Sequence, residues 1–172
     1  MKVFVTVGST KFDALIQAIL SDSTLRVLKK RGYHRLVIQC GNSAHEFVNF
    51  VDGDRVHKVE QDGVSIEVWR YKPSLKEAFE EADLVISHAG SGTILEVLRL
   101  GKPLIVIPNP TLLDNHQEEV ATALSELGHL KSCTPSQLPT TIEGFDTTSM
   151  VPFPPFDGNR FQRLLDEQMG FV

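Results

Sequence analysis

Only two cysteines occur among the 172 residues, and they exclude a disulfide-stapled fold. Cys40 and Cys133 are far apart, follow no metal-ligand spacing and lie in or beside apolar stretches, so they read as two reduced structural thiols in an intracellular protein. Long apolar runs are also missing. The longest stretches without a charge are about ten residues, half of the ~20 that a membrane-spanning helix needs. The opening Met1-Lys2-Val3-Phe4-Val5-Thr6-Val7-Gly8 enters a strand at once, and its apolar run is too short for a secretion signal. There is no repeat, no low-complexity tract and no polybasic cluster. A net charge of −5 and a pI near 5.7 argue against nucleic acid as the principal partner.

What is present is an alternation of strand and helix. A chain of this length can bury about 70% of the surface its unfolded form exposes and needs no staples. Apolar runs at Lys2 to Val7, Arg35 to Cys40, Ile66 to Arg70, Leu84 to Ser87 and Leu104 to Ile107 predict strands. Helical patterns separate them, which predicts an α/β, Rossmann-like, mostly parallel sheet covered on both faces. A short strand at Arg55 to Glu60 turning at Gln61-Asp62-Gly63 would make that sheet mixed. Helices are expected from Phe12 to Ser21 continuing to about Lys30, and over Ala44 to Phe50, Ser74 to Ala82, Thr93 to Leu100, Asn115 to Glu126 and Gly158 to Met169. Ser74 is the expected N-cap, and Gly32, Gly101 and Gly128 the expected stops. Residues 1–133 thus form the domain. Residues 134–172 are a Pro/Thr-rich segment followed by a helix, with Phe161, Leu164, Leu165 and Met169 at helical spacing, packed on the domain or on a partner.

The segment most informative about chemistry runs from Ala82 to Glu96, where the strand Leu84-Val85-Ile86-Ser87 passes through His88-Ala89-Gly90-Ser91-Gly92-Thr93 into a helix. The first N–H groups of a helix have no intrahelical partner and lie at the positive end of its dipole, so an anion can sit where they point. Gly90 and Gly92 allow close approach, and Ser91 and Thr93 add hydroxyl donors. Glu96, one turn on, can accept from the two hydroxyls of a ribose. The bland alternative is a strand-to-helix turn that holds nothing. The segment lacks the third glycine of G-x-G-x-x-G, the Gly-Lys-Ser/Thr of a P-loop, and the G-x-S-x-G of a hydrolase elbow.

Two further loops should join it at the carboxyl edge of the sheet, where open α/β folds bind ligands. One is Val7-Gly8-Ser9-Thr10-Lys11-Phe12-Asp13. The other runs from Ile107-Pro108-Asn109-Pro110 to Asp114-Asn115-His116-Gln117. Its Asn, His and Gln side chains suit the hydroxyls and N-acetyl group of a sugar.

With these three loops the chain closely resembles the cytosolic catalytic subunits of eukaryotic UDP-N-acetylglucosamine transferases, which are similar to the donor-binding C-terminal half of the bacterial peptidoglycan transferase MurG. The resemblance covers about Met1 to Leu130. It implies the donor-binding half of a GT-B glycosyltransferase and a UDP-GlcNAc site. In that site Gly8, Ser9 and Thr10 lie on the phosphate side, His88, Gly90, Ser91, Gly92 and Thr93 at the diphosphate, and Glu96 at the ribose. Tyr71 and Lys72 fall in the segment that holds uracil by its backbone, and Asn109, Asn115, His116 and Gln117 lie near the sugar. MurG-like enzymes have Gln where this chain has His116. The implied reaction moves GlcNAc with inversion onto dolichol-diphosphate-GlcNAc, the second step of lipid-linked oligosaccharide synthesis. The acceptor half is then expected from a membrane-anchored subunit, with the chain recruited to the cytosolic face of the endoplasmic reticulum.

No cofactor or metal is expected. Asp52-Gly53-Asp54 matches a metal-binding D-x-D but reads as a turn, because it precedes a strand instead of lying among the carboxyl-edge loops. His88 is a weak candidate for general base, and no other residue is assigned a catalytic role. His34, His45, His57 and His129 read as edge residues, Glu118 and Glu119 as a solvated helix face, and Phe12 as core. Two rival functions remain at this point: a nucleotide-sugar-binding regulatory module without turnover, and a nucleotide-sugar epimerase or hydrolase, which generally carries both Rossmann halves in one chain.

Overall fold

The computed structural model describes residues 1–44, 56–111, 116–155, 167 and 169. Its strands are β1 (Lys2–Thr6), β2 (Arg35–Gln39), β3 (His57–Gln61), β4 (Val64–Trp69), β5 (Leu84–His88), β6 (Leu104–Ile107) and β7 (Lys131–Ser132). They form one sheet in the order β3-β4-β2-β1-β5-β6-β7. Among the described residues only the β3–β4 pair is antiparallel, so the sheet is mixed. The reason is the turn chemistry. Asp62 and Gly63 both take positive φ, at 53° and 75°, the two-residue geometry that matches strand twist and that Asp-Gly favours.

Alternation along the central strands sends side chains into two cores. Val3, Val5, Leu36, Ile38, Leu84, Ile86, Ile105 and Ile107 face helices α1 (Asp13–Ile19), α2 (Asp22–Lys30) and α6 (Leu138–Gly144). Phe4, Val37, Val85, Leu104 and Val106 face α3 (Lys76–Glu80), α4 (Ser91–Arg99) and α5 (His116–Glu126). Both faces are buried, which is why these strands read as continuous apolar runs. Phe12 is 3% exposed and belongs to the first core, as expected. Cys40 and Cys133 are buried free thiols, and burial pushes both thiol pKa values up.

Three expectations are corrected. The helix expected from Phe12 to Lys30 is two helices, because Ser21 ends one and caps the other. Its Oγ donates to the Ala18 carbonyl at 2.8 Å and accepts from the Thr24 N–H at 3.4 Å, and such local side-chain bonds compete with continued helix. The helix expected from Ser74 is shorter, at Lys76–Glu80, although Ser74 Oγ still accepts from the Lys76 N–H at 3.2 Å. β7 and, within the Pro/Thr-rich stretch, α6 had no sequence signal. Pro139 lies in the first turn of α6, where the missing N–H is tolerated, and Leu138, Ile142 and Phe145 enter the first core. The expected helix over Ala44 to Phe50, Asp52-Gly53-Asp54, His45, Asn115 and nearly all of the final helix lie outside the described residues.

α6 is fastened to α2. Arg31 Nη2 donates to the Phe145 carbonyl, Arg31 Nη1 to the Glu143 carbonyl at 3.2 Å, and Lys30 Nζ pairs with Glu143 at 2.6 Å. Burial dominates this contact, since exposed ion pairs contribute little. Leu138→Ala is expected to destabilise the chain by about 3 kcal/mol, read as a lowered urea midpoint. Lys30→Ala should leave that midpoint where it is.

Candidate functional site

The chain enters the sheet at β1, winds outward through β2 to β4, and returns to β5 on the other side of β1. The loops after β1 and β5 therefore diverge and open a crevice at the carboxyl edge, the position where such sheets bind ligands. Its floor is His88, the last residue of β5, which is 7% exposed. Gly8 and Gly90 flank the imidazole closely. A Cβ on Gly8 would lie 2.7 Å from Cε1, and one on Gly90 would lie 2.4 Å from Nε2. Gly8 also needs its φ of +63°, so both positions admit only glycine without displacing the ring.

The imidazole is unusual for a buried polar group. Its Nδ1 has no hydrogen-bond partner among the described residues. Burial pushes its pKa below the ordinary value, opposed in part by the Thr6 backbone carbonyl. A neutral ring whose Nε2 edge lies against Gly90 can donate a hydrogen bond to an anion in the crevice.

Above it, α4 begins earlier than the sequence indicates. Gly90 is the N-cap, and Ser91, Gly92 and Thr93 form the first turn, with no side chain capping it. Their N–H groups face the crevice entrance as the fold dictates, where they can stabilise negative charge. Ser9, Ser91 and Gly92 are exposed. Glu96 is exposed one turn further on, and with Gly92 and Lys76 it borders a cavity of about 360 Å³. In the loop after β4, Tyr71 is 44% exposed and Lys72 Nζ lies 4.5 Å from the Trp69 ring centre.

The loop after β6 meets the loop after β1. Asn109 is 4% exposed, and its Nδ2 donates to the Lys11 carbonyl at 3.1 Å while Oδ1 accepts from the Thr111 N–H and hydroxyl. Asn109 thus ties the loops together and does not present its amide to the crevice. Gln117 Oε1 accepts from the Asn109 N–H at 3.2 Å. His116 is exposed, with Nδ1 3.7 Å from Glu119. Beyond this pair lies a larger cavity of about 520 Å³ whose wall includes Gln117, Glu118 and Glu126. The carboxylates Glu118 and Glu126 suit neutral or cationic groups there and disfavour phosphate. Thr10 is held inward, its hydroxyl donating to the Val7 carbonyl at 2.7 Å.

Two residues that carry no motif prove central. Gln39, 2% exposed, and Thr6, fully buried, hold the Gly8 loop: Thr6 Oγ1 donates to Gln39 Oε1 and accepts from the Gly8 N–H, and Gln39 Nε2 donates to the Gly8 and Arg70 carbonyls. The available signal was a polar residue at the carboxyl end of an otherwise apolar strand. Among the described residues no group of three or more His, Cys, Asp or Glu side chains could hold a metal.

Known proteins show the same architecture. A family model for the glycosyltransferase family 28 C-terminal domain matches residues 2–168. The UDP-N-acetylglucosamine transferase subunit ALG13 of Saccharomyces cerevisiae is 34% identical over 96% of this chain and 94% of its own length. The ALG13 subunits of mouse and human are 43% and 44% identical over 77% of the chain. The match spans only 11% of the length of those two mammalian relatives. The NMR solution structure of an ALG13 superposes with a TM-score of 0.69 at 33% identity, covering 95% of this chain and 94% of that one. Acinetobacter baumannii MurG shares the fold, with a TM-score of 0.58 at 23% identity over 97% of this chain and 42% of that one.

The buried imidazole has a measurable signature. Its pKa lies below 6.5 in the folded chain, so the unfolded chain binds the extra proton first and stability rises with pH. The His88 contribution should be fully present above about pH 6.5 and lost as pH falls through the lower folded value. Urea unfolding from pH 7.5 downward is expected to show this slope in the parent chain and a flatter one in His88→Gln.

Proposed function

This chain belongs to the glycosyltransferase family 28 C-terminal domain family, and from that premise we propose that it is the donor-binding catalytic subunit of an inverting N-acetylglucosaminyltransferase. The observation that carries the proposal is the crevice between β1 and β5, where a buried imidazole lies beneath two close-packed glycines and an uncapped helix N-terminus. UDP-GlcNAc fills it with its diphosphate against Gly8, Ser9, His88 and the first turn of α4. Glu96 accepts from the ribose hydroxyls. The backbone of the Tyr71–Lys72 loop takes uracil, and Gln117 and His116 lie toward the sugar. Asn109 and Thr10 shape the site by holding loops.

In the reaction an acceptor hydroxyl attacks C1 of GlcNAc from the face opposite the departing UDP, inverting the anomeric centre. Charge accumulates on the leaving diphosphate. The N–H groups of Ser91, Gly92 and Thr93, fixed before the reaction begins, stabilise that charge without reorganising. His88 donates to the same phosphates. Its place at the floor of the crevice, against Gly8 and Gly90 of the two phosphate-side loops, favours this role over that of general base.

The acceptor is dolichol-diphosphate-GlcNAc at the cytosolic face of the endoplasmic reticulum, presented by a membrane-anchored second subunit. The word subunit in the relatives' names supports such a partner.

Transfer from UDP-GlcNAc to a lipid-linked GlcNAc-diphosphate, measured with the chain alone and with its membrane subunit, tests this reading. Activity is expected only in the pair. Glu96→Ala should lower it by about tenfold or more through the lost ribose contacts, and Gly90→Ala should abolish it by displacing His88. A pair that assembles and binds UDP-GlcNAc yet transfers nothing would establish a regulatory module instead.

A further inference from the structure

Apart from Lys2 and Arg35 at their starts and His88 at the end of β5, the strands β1, β2 and β5 carry polar residues in one row. Gln39, Thr6 and Ser87 are register neighbours on β2, β1 and β5, all between 0% and 2% exposed, directly beneath the crevice. Ser87 Oγ donates to the His88 carbonyl at 2.9 Å. The amide of Gln39 is fully used: Oε1 accepts from Thr6 Oγ1 at 2.5 Å, and Nε2 donates to the Gly8 carbonyl at 2.8 Å and the Arg70 carbonyl at 2.7 Å. Turning the amide over would set Oε1 against two carbonyl oxygens, so the network admits one orientation. Thr6 Oγ1 closes the circuit by accepting from the Gly8 N–H at 3.1 Å.

Both backbone groups of Gly8 are therefore held by one buried side-chain pair. Gly8 in turn limits the space of His88, since a Cβ there would lie 2.7 Å from the ring. The second amide hydrogen of Gln39 reaches Arg70, the residue that opens the Tyr71–Lys72 loop. An apolar side chain of similar volume would satisfy packing at Gln39, and it would remove the amide donor from the Gly8 and Arg70 carbonyls.

We propose that Gln39, acting with Thr6, is a positioning residue for the nucleotide donor. It fixes the height of the Gly8 loop over His88 and couples the diphosphate side of the crevice to the nucleoside side. The donor then meets a seat whose two ends are already in register, and less binding free energy is lost in ordering loops. The inference rests on the donor-site reading above.

The test uses the full chain labelled for NMR, with UDP as the probe and Gln39→Met, Thr6→Val and Thr6→Ser as variants. Gln39→Met and Thr6→Val are expected to weaken UDP binding by about tenfold and to shift the His88 imidazole and Gly8 amide signals in the ligand-free chain. Thr6→Ser keeps the hydroxyl and should stay within about twofold of the parent. If Thr6 served packing alone, the order would reverse, because Val conserves the volume that Ser gives up. The Thr6 pair decides the matter even if Gln39→Met does not fold. Parent-like affinity in Thr6→Val with unmoved His88 signals would overturn the proposal. Should the parent bind no UDP, the donor reading fails on its own. The ligand-free signals then still judge the coupling, which displaced His88 resonances in Thr6→Val support and unmoved ones refute.

Discussion

β1 and β5 lie side by side at the centre of the sheet, each covered on both faces, and the chain turns away from them in opposite directions. The crevice follows from that arrangement. The backbone hydrogen bonds between the two strands leave no freedom in the separation of their carboxyl ends, so Gly8, at the exit of one, and His88, at the end of the other, are forced into contact. Any side chain at position 8 or 90 would have to move the ring, and the ring is walled in by a close-packed core. The chemistry of the site thus inherits its precision from the least mobile part of the molecule.

The polar row beneath the crevice shows how the interior tolerates hydrogen-bonding groups. Thr6, Gln39 and Ser87 each find a partner, which keeps their burial from being destabilising. His88 does not. An imidazole nitrogen without a partner in a core this complete is an energetic debit that the fold sustains, and such debits gather where a ligand supplies the missing contact.

Much of this was legible in the chain. The strands Lys2–Thr6, Arg35–Gln39, Leu84–His88 and Leu104–Ile107 are unbroken apolar runs because both faces of the sheet are covered, and the Asp62-Gly63 hairpin carries its own turn chemistry. The helix break at Ser21 was hidden because the apolar period continues through it. α6 was hidden because prolines and threonines dominate a stretch whose few apolar residues, Leu138, Ile142 and Phe145, are decisive. At the site, the glycines and hydroxyls of the sequence mark the head of α4, where the structure has an uncapped helix start. Asn109 shows the limit of reading by residue type: its amide suits a sugar, yet the structure uses it on Lys11 and Thr111. Gln39 belongs to no motif, and its importance appears only when β1, β2 and β4 are brought together.

The order in which the sheet is assembled has a bearing on synthesis. β1 emerges first and becomes the central strand, but Val3 and Phe4 must wait for Leu84 and Val85, and α2 waits longer still for Phe145. Until then the growing chain carries an apolar strand with one edge unpaired, the state most open to wrong pairing with another chain. Folding of this domain is therefore governed by contacts between distant parts of the sequence, and such topologies fold slowly. A nascent chain of this kind benefits from being shielded until its second half has appeared.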